Sequence, residues 1–232
     1  MTLFSLLPAL DLAALAGFVG LWVGYTIYAD RLTGEGHTLL AATARHRRTW
    51  MRNLCDREAR VADSALLGNL MRSVSFFASA SILIMGGLVA LLGAGERAYG
   101  VLQELPFVAA SGRGTFELKV VLLTGVFVYA FFQITWSLRQ FNYCCVLLGA
   151  APPHDAEAAV KDVFAEHAAK LNALAANSFN RGLRAYYFAL AMMTWSIHAG
   201  VMLAATVAVV AVLYRREFRS KTLKALNAAL PL

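Results

Sequence analysis

Long apolar runs, interrupted mainly by small residues, dominate the chain. Four are long: Leu10–Tyr28, Val74–Gly93, Phe116–Leu138 and Leu183–Tyr214. A helix needs about 20 such residues to cross the hydrocarbon core of a bilayer. None of the four shows the inside–outside alternation of a barrel strand. The pattern predicts an all-α protein: a four-span transmembrane helical bundle, with spans at about 10–28, 74–93, 116–138 and 183–214, forming one membrane domain over residues 1–232.

The intervening polar segments carry helical periodicity and predict two cytoplasmic amphipathic helices. The first runs from about Thr38 to Arg72, without proline or glycine until Gly68. Arg48, Arg52, Asp56 and Arg60 recur every four residues along it as a ladder of charge, opposite a thin apolar side of Trp50, Leu54 and Val61. The second covers about 155–177. It follows Pro152-Pro153, with Asp155 as expected N-cap and Val160, Phe164, Leu171 and Leu174 on one face. Asn177 to Gly182 is expected to break it before the last span. The segment from about Ala94 to Thr115, with five glycines and Pro106 between and around its ends, is expected to be irregular.

Composition agrees with a membrane class. Hydrophobic residues make up 59% of the 232, charged residues only 15%, and mean hydropathy is +0.58; soluble domains carry about 25% charged residues. With no Lys or Arg before Arg31, the first apolar segment lacks the charged start of a cleavable signal and is expected to be retained. Four spans place thirteen basic residues on the side of the two amphipathic helices and eight on the other, the basic tail from Arg215 to Lys224 included. The excess predicts a cell (inner) membrane protein with the helices in the cytoplasm and both termini outside. The tail conflicts with that charge rule. Cys55, Cys144 and Cys145 form neither an even framework nor a metal-ligand spacing, so reduced structural thiols are expected.

No nucleotide loop, metalloprotease motif or serine elbow is present, and no catalytic residue, metal set or cofactor is implied. The polar candidates lie elsewhere. In AFFQITWSLRQFNY (130–143), Tyr129, Gln133, Trp136, Gln140 and Tyr143 step by four and three along one stripe, with Thr135, Arg139 and Asn142 beside it. Gln133 and Gln140 are expected to face protein or enclosed water, and Phe131 and Leu138 to face lipid. Interhelical packing is the commoner use of such amides, ahead of a solute path. His198, midway along the fourth apolar run, is the other candidate, as an intramembrane ionisable group or a neutral imidazole bonded between helices. Glu117 and Lys119 are expected to snorkel from the outer end of the third span. Arg45, Arg47, Arg48 and Arg52 sit close to a span and are expected to meet anionic lipid headgroups, not nucleic acid. Gly17, Gly20 and Gly24, with Ser75, Ser79, Gly86 and Gly87, mark close helix contacts and a candidate homo-oligomer interface.

The stretches RTWM (48–51), FFASASILIMGGLVALLG (76–93), RQFNY (139–143), NRGLRAYYFALA (180–191) and YRREFRS (214–220) resemble the domain-of-unknown-function 599 family of bacterial and plant integral membrane proteins. That resemblance implies a membrane protein and supplies no activity, cofactor or catalytic residue. Two functions are expected to compete. The leading one is a small transporter or channel, built as a homo-oligomer and lined by Gln133, Gln140, Asn142 and His198. The other is a membrane scaffold or regulator that binds anionic lipid or a partner through its Arg-rich helix. A lipid-modifying enzyme ranks behind both.

Overall fold

The structure, a computed structural model, describes residues 7–104 and 112–229. Among them are seven α-helices and no strand: α1 (Ala9–Gly34), α2 (Leu39–Cys55), α3 (Val61–Gln103), α4 (Arg113–Gly149), α5 (Ala158–Met193), α6 (Ala199–Phe218) and α7 (Lys221–Ala228). Four stretches are long and apolar enough to cross a membrane. They lie in α1, α3, α4 and α6.

The long helices run alternately between two ends of one bundle. The end holding α2 is fixed by Trp50 Nε1 donating to Asp63 at the start of α3 (2.7 Å), and by Arg60 Nη1 donating to the carbonyl of Ala151 just after α4 (3.0 Å). At the far end Lys119, early in α4, meets Asp11 at the start of α1 (3.4 Å), and Trp195 donates to the same carboxylate (2.6 Å). A membrane-side core packs Ala14, Phe18 and Tyr25 of α1 against Phe127 of α4, Phe188 of α5 and Met202 of α6. Toward the α2 end, Leu67 and Val74 of α3, Ile134 and Phe141 of α4 and Ala175 of α5 form a second core. Met51, Leu54 and Cys55 of α2 close a third over Ala165, Ala168 and Ala169 of α5. Its α5 contacts show α2 antiparallel to the first half of that helix, with Arg52 beside Asp162 (2.6 Å) and Leu40 and Thr43 sharing a cavity with Ala176 and Phe179.

The run 183–214 is not one span. α5 ends at Met193, a 3-10 turn covers Thr194–Ser196, and α6 starts at Ala199, where the His198 side chain accepts from the Gly200 amide (3.0 Å). Thr194 Oγ1 donates to the Ala191 carbonyl (2.7 Å), and Trp195, 1% exposed, docks on Asp11. A turn that buries a tryptophan and caps with histidine is as apolar as a helix, so periodicity does not reveal it. As a result α6 returns to the α2 end. There Glu217 Oε1 accepts from the Leu40 amide (3.2 Å), and α7 meets α2 through Arg45 and Asn227 (2.6 Å). The basic tail therefore lies with the Arg-rich helix and not opposite it. His198 is exposed at the far-end turn, not mid-span.

Other boundaries also move. The single helix expected over 38–72 is interrupted at 56–60, because Arg60 leaves helical register to donate to the carbonyls of Leu54, Ala151 and Pro152. The break expected at Asn177–Gly182 is absent. α5 runs straight through it, since Gly182 serves close helix contact: a Cβ there would stand 2.5 Å from Ile134 Cγ1. α3 extends into the segment expected to be irregular, kinking at Gly95 (φ +46°), a left-handed conformation that glycine accommodates without a Cβ clash. Residues 105–111 of that segment lie outside the described ones. Gly17 packs against Leu203, whereas Gly20, Gly24, Gly86 and Gly87 face open space.

Candidate functional site

Along α4 the inner face is Ala130, Ile134, Ser137, Phe141 and Cys144. The stripe read from the sequence lies a partial turn away. Phe132, Trp136 and Tyr143 are exposed, Gln133 is half-buried, and Asn142 faces out. Phe131 and Leu138 are half-buried, as Gln133 is, and Leu138 packs on the second core. Gln140 is buried between α4 and α5. The amide orientation that satisfies its neighbours donates nitrogen to Ser178 Oγ (2.8 Å) and the Leu174 carbonyl (3.3 Å), while its oxygen accepts from Trp136 Nε1 (3.3 Å). One turn along, Ser137 Oγ donates to the Ala175 carbonyl (2.7 Å). These contacts are packing bonds between two helices. With His198 at the far end, the four polar candidates do not converge.

Two charged levels bracket the membrane-side core. At the far end Lys119, expected to snorkel, is only 8% exposed. Its Nζ sits 3.4 Å from Asp11 Oδ1, 3.3 Å from the Trp195 carbonyl and 5.1 Å from the centre of the indole. At the other level Asp30 accepts from Arg181 (2.8 Å) and Arg184 (2.9 Å), and Arg184 also lies over the Tyr25 ring at 5.7 Å. Asp11 and Asp30 are nineteen residues apart on α1, about 28 Å at 1.5 Å per residue. That matches a hydrocarbon core of about 30 Å. Asp11 was hidden in the sequence because it stood at the edge of the first apolar run, where one carboxylate carries no pattern.

Beyond the second level lies the basic end. Of the four arginines expected to meet lipid, three have protein partners. Arg45 reaches Gly36 and Asn227, Arg48 reaches Glu166 (3.5 Å), and Arg52 pairs with Asp56 (3.2 Å) and Asp162 (2.6 Å). Arg47 differs: its Nη1 is buried with no hydrogen-bond partner among the described residues. It lines a groove of about 460 Å³ between α2 and α3, walled by Trp50, Leu66 and Leu70 and edged by Thr43, Asn69 and Ser73. The same arginine borders a smaller cavity on the other side of α2, with Phe179, Asn180 and Glu217. A guanidinium in partly apolar surroundings holds several hydrogen-bond donors, and desolvated donors are costly until an acceptor arrives. Among the described residues no group of three His, Cys, Asp or Glu could hold a metal.

A family model described as "Protein of unknown function, DUF599" matches residues 13–222. No curated protein and no solved structure matches the chain.

Proposed function

The chain belongs to the DUF599 family of proteins of unknown function, and on that premise we propose that it is a membrane scaffold or regulator that binds anionic phospholipid at its α2 end. The observation that carries this reading is Arg47. Its Nη1 is a buried donor without a hydrogen-bond partner among the described residues, and it stands in a groove whose Trp50, Leu66 and Leu70 walls suit an acyl chain. From that groove α3 continues into an exposed apolar face with Phe76, Ile82 and Leu83. An anionic headgroup on Arg47 with its chain along α3 satisfies both surfaces. Conduction through Gln133, Gln140, Asn142 and His198 has less support, because Gln140 is fully bonded and the others stand on different faces or ends.

The α2 end is assigned to the cytoplasm of the cell membrane. With the tail returned to that end, eighteen of the twenty-one Lys and Arg lie there; only Arg97, Arg113 and Lys119 belong to the far end. Such an excess marks the cytoplasmic side. The N-terminus is then outside and the C-terminus inside, with the last part of α5 as a fifth crossing.

Native mass spectra of the detergent-purified protein test the lipid reading. Arg47→Gln should lose bound phosphatidylglycerol that Arg48→Gln retains, since Arg48 reaches Glu166 while the Arg47 Nη1 has no hydrogen-bond partner among the described residues. Equal lipid retention in both variants and the wild type sinks it. For orientation, single cysteines are placed at 97 and 221 after Cys55, Cys144 and Cys145 are replaced. An impermeant thiol reagent on intact cells should label 97 and spare 221. The reverse pattern overturns the assignment.

A further inference from the structure

A second basic cavity, about 310 Å³, lies between Tyr25 of α1, the stretch Asn180–Tyr187 within α5, the end of α6 and the starts of α2 and α7. We propose that it binds a phosphate-type anion, either a lipid headgroup or a soluble phosphoester, independently of the Arg47 groove. Its wall includes Asn180, Arg184, Tyr187, Arg216 and Thr222. Arg184 is 3% exposed; its Nη1 donates to Asp30, and its Nη2 has no partner among the described residues. Arg216 donates one Nη1 bond to the Tyr187 hydroxyl (2.8 Å) and is otherwise exposed on the rim.

The start of α7 completes the donor set. Ser220 caps this helix by accepting from the Leu223 amide (3.0 Å), and the first-turn amides of Lys221 and Thr222 have no intrahelical acceptor. Amides at a helix N-terminus favour anions, and guanidinium groups match phosphate oxygens in pairs. Two carboxylates face this region. Asp30 is shared between Arg181 and Arg184, and Glu217 accepts from the Leu40 amide at the start of α2. Three arginines against these two leave a cationic surplus, to which Lys221 adds.

The test follows the thermal stability of the full-length protein in detergent, titrated with inorganic phosphate at constant ionic strength set by chloride. Ligand binding to the folded state raises Tm, so phosphate should stabilise the wild type beyond chloride. Arg216→Gln should weaken the apparent phosphate affinity about tenfold, the loss of one charge-assisted contact. Thr222→Glu, which keeps an acidic residue welcome at a helix start, should abolish the response by occupying the cavity with its own carboxylate. In Arg47→Gln the Arg216-dependent part of the response should persist, whatever the groove itself contributes. If only micelles doped with phosphatidic acid give the Arg216-dependent shift, the natural ligand is a lipid headgroup; a response to free phosphate indicates a soluble phosphoester. No shift with either anion overturns the site. A shift lost in Arg47→Gln but kept in Arg216→Gln also overturns it, while the groove reading survives.

Discussion

The two ends of the bundle hold buried charge in opposite ways. At the far end one cation meets one anion: Lys119, Asp11 and Trp195 satisfy one another within 3.4 Å. At the α2 end cations outnumber their partners, and both Arg47 and Arg184 keep a buried nitrogen without an acceptor among the described residues. Low dielectric raises the cost of an unpaired group at either end. The closed trio therefore serves the fold, tying α1, α4 and the α5–α6 turn together. The arginines left without acceptors are the donors that the two proposed anion sites would use.

The largest effect should come from opening the closed end. Removing one partner of a buried pair costs about 3–5 kcal/mol, so Lys119→Met should lower the melting temperature sharply. The double variant Asp11→Leu/Lys119→Met should recover most of the loss, and a single variant as stable as wild type would break the contrast between the ends. Next comes close packing between the two levels. Gly182→Ala sets a methyl 2.5 Å from Ile134 Cγ1 and 3.3 Å from the Ala130 carbonyl, and overpacking of this kind costs about 1–3 kcal/mol. Gly20→Ala and Gly24→Ala, which meet nothing within 4 Å, should melt with the wild type. Equal effects at all three positions would mean that α4 and α5 do not approach as described.

Smaller still is the interhelical bond from Ser137. Ser137→Ala should cost about 0.6 kcal/mol, the average for such bonds in membranes. Thr135→Ala, whose hydroxyl bonds only within its own helix at 2.8 Å, should cost less, and the opposite order in thermal denaturation would contradict the packing face of α4. The smallest effect is at the exposed surface of the α2 end. A hydrogen bond from Lys161 (2.8 Å) is the main cause holding the Asp56 carboxyl below its ordinary value, with Arg52 helping. A carboxyl depressed in the folded state stabilises above its unfolded value and loses that contribution as pH falls through the folded one. The acid limb of the melting profile below the usual carboxylate range should therefore flatten slightly in Asp56→Asn. An unchanged limb would show this surface pair to be inert, as many exposed pairs are.

The sequence by itself determined the material: apolar runs of bilayer length, helices as the only way to satisfy backbone within them, and an excess of arginine around α2. Those properties follow from composition and local period, which are present before any contact forms. Its error over 183–214 had the same origin. Trp195 and His198 look apolar enough for a helix, and only docking on Asp11 and capping at Gly200 make them a turn. Tertiary structure alone decided that the basic tail returns to α2, that Asp11 meets Lys119 across more than a hundred residues, and that the Arg47 Nη1 has no acceptor among the described residues while Arg48 and Arg52 have carboxylate partners. Four nearby arginines on one helix are equivalent in sequence. They become different when α5 brings Asp162 and Glu166 against one side of α2 and leaves the groove toward α3 without a carboxylate.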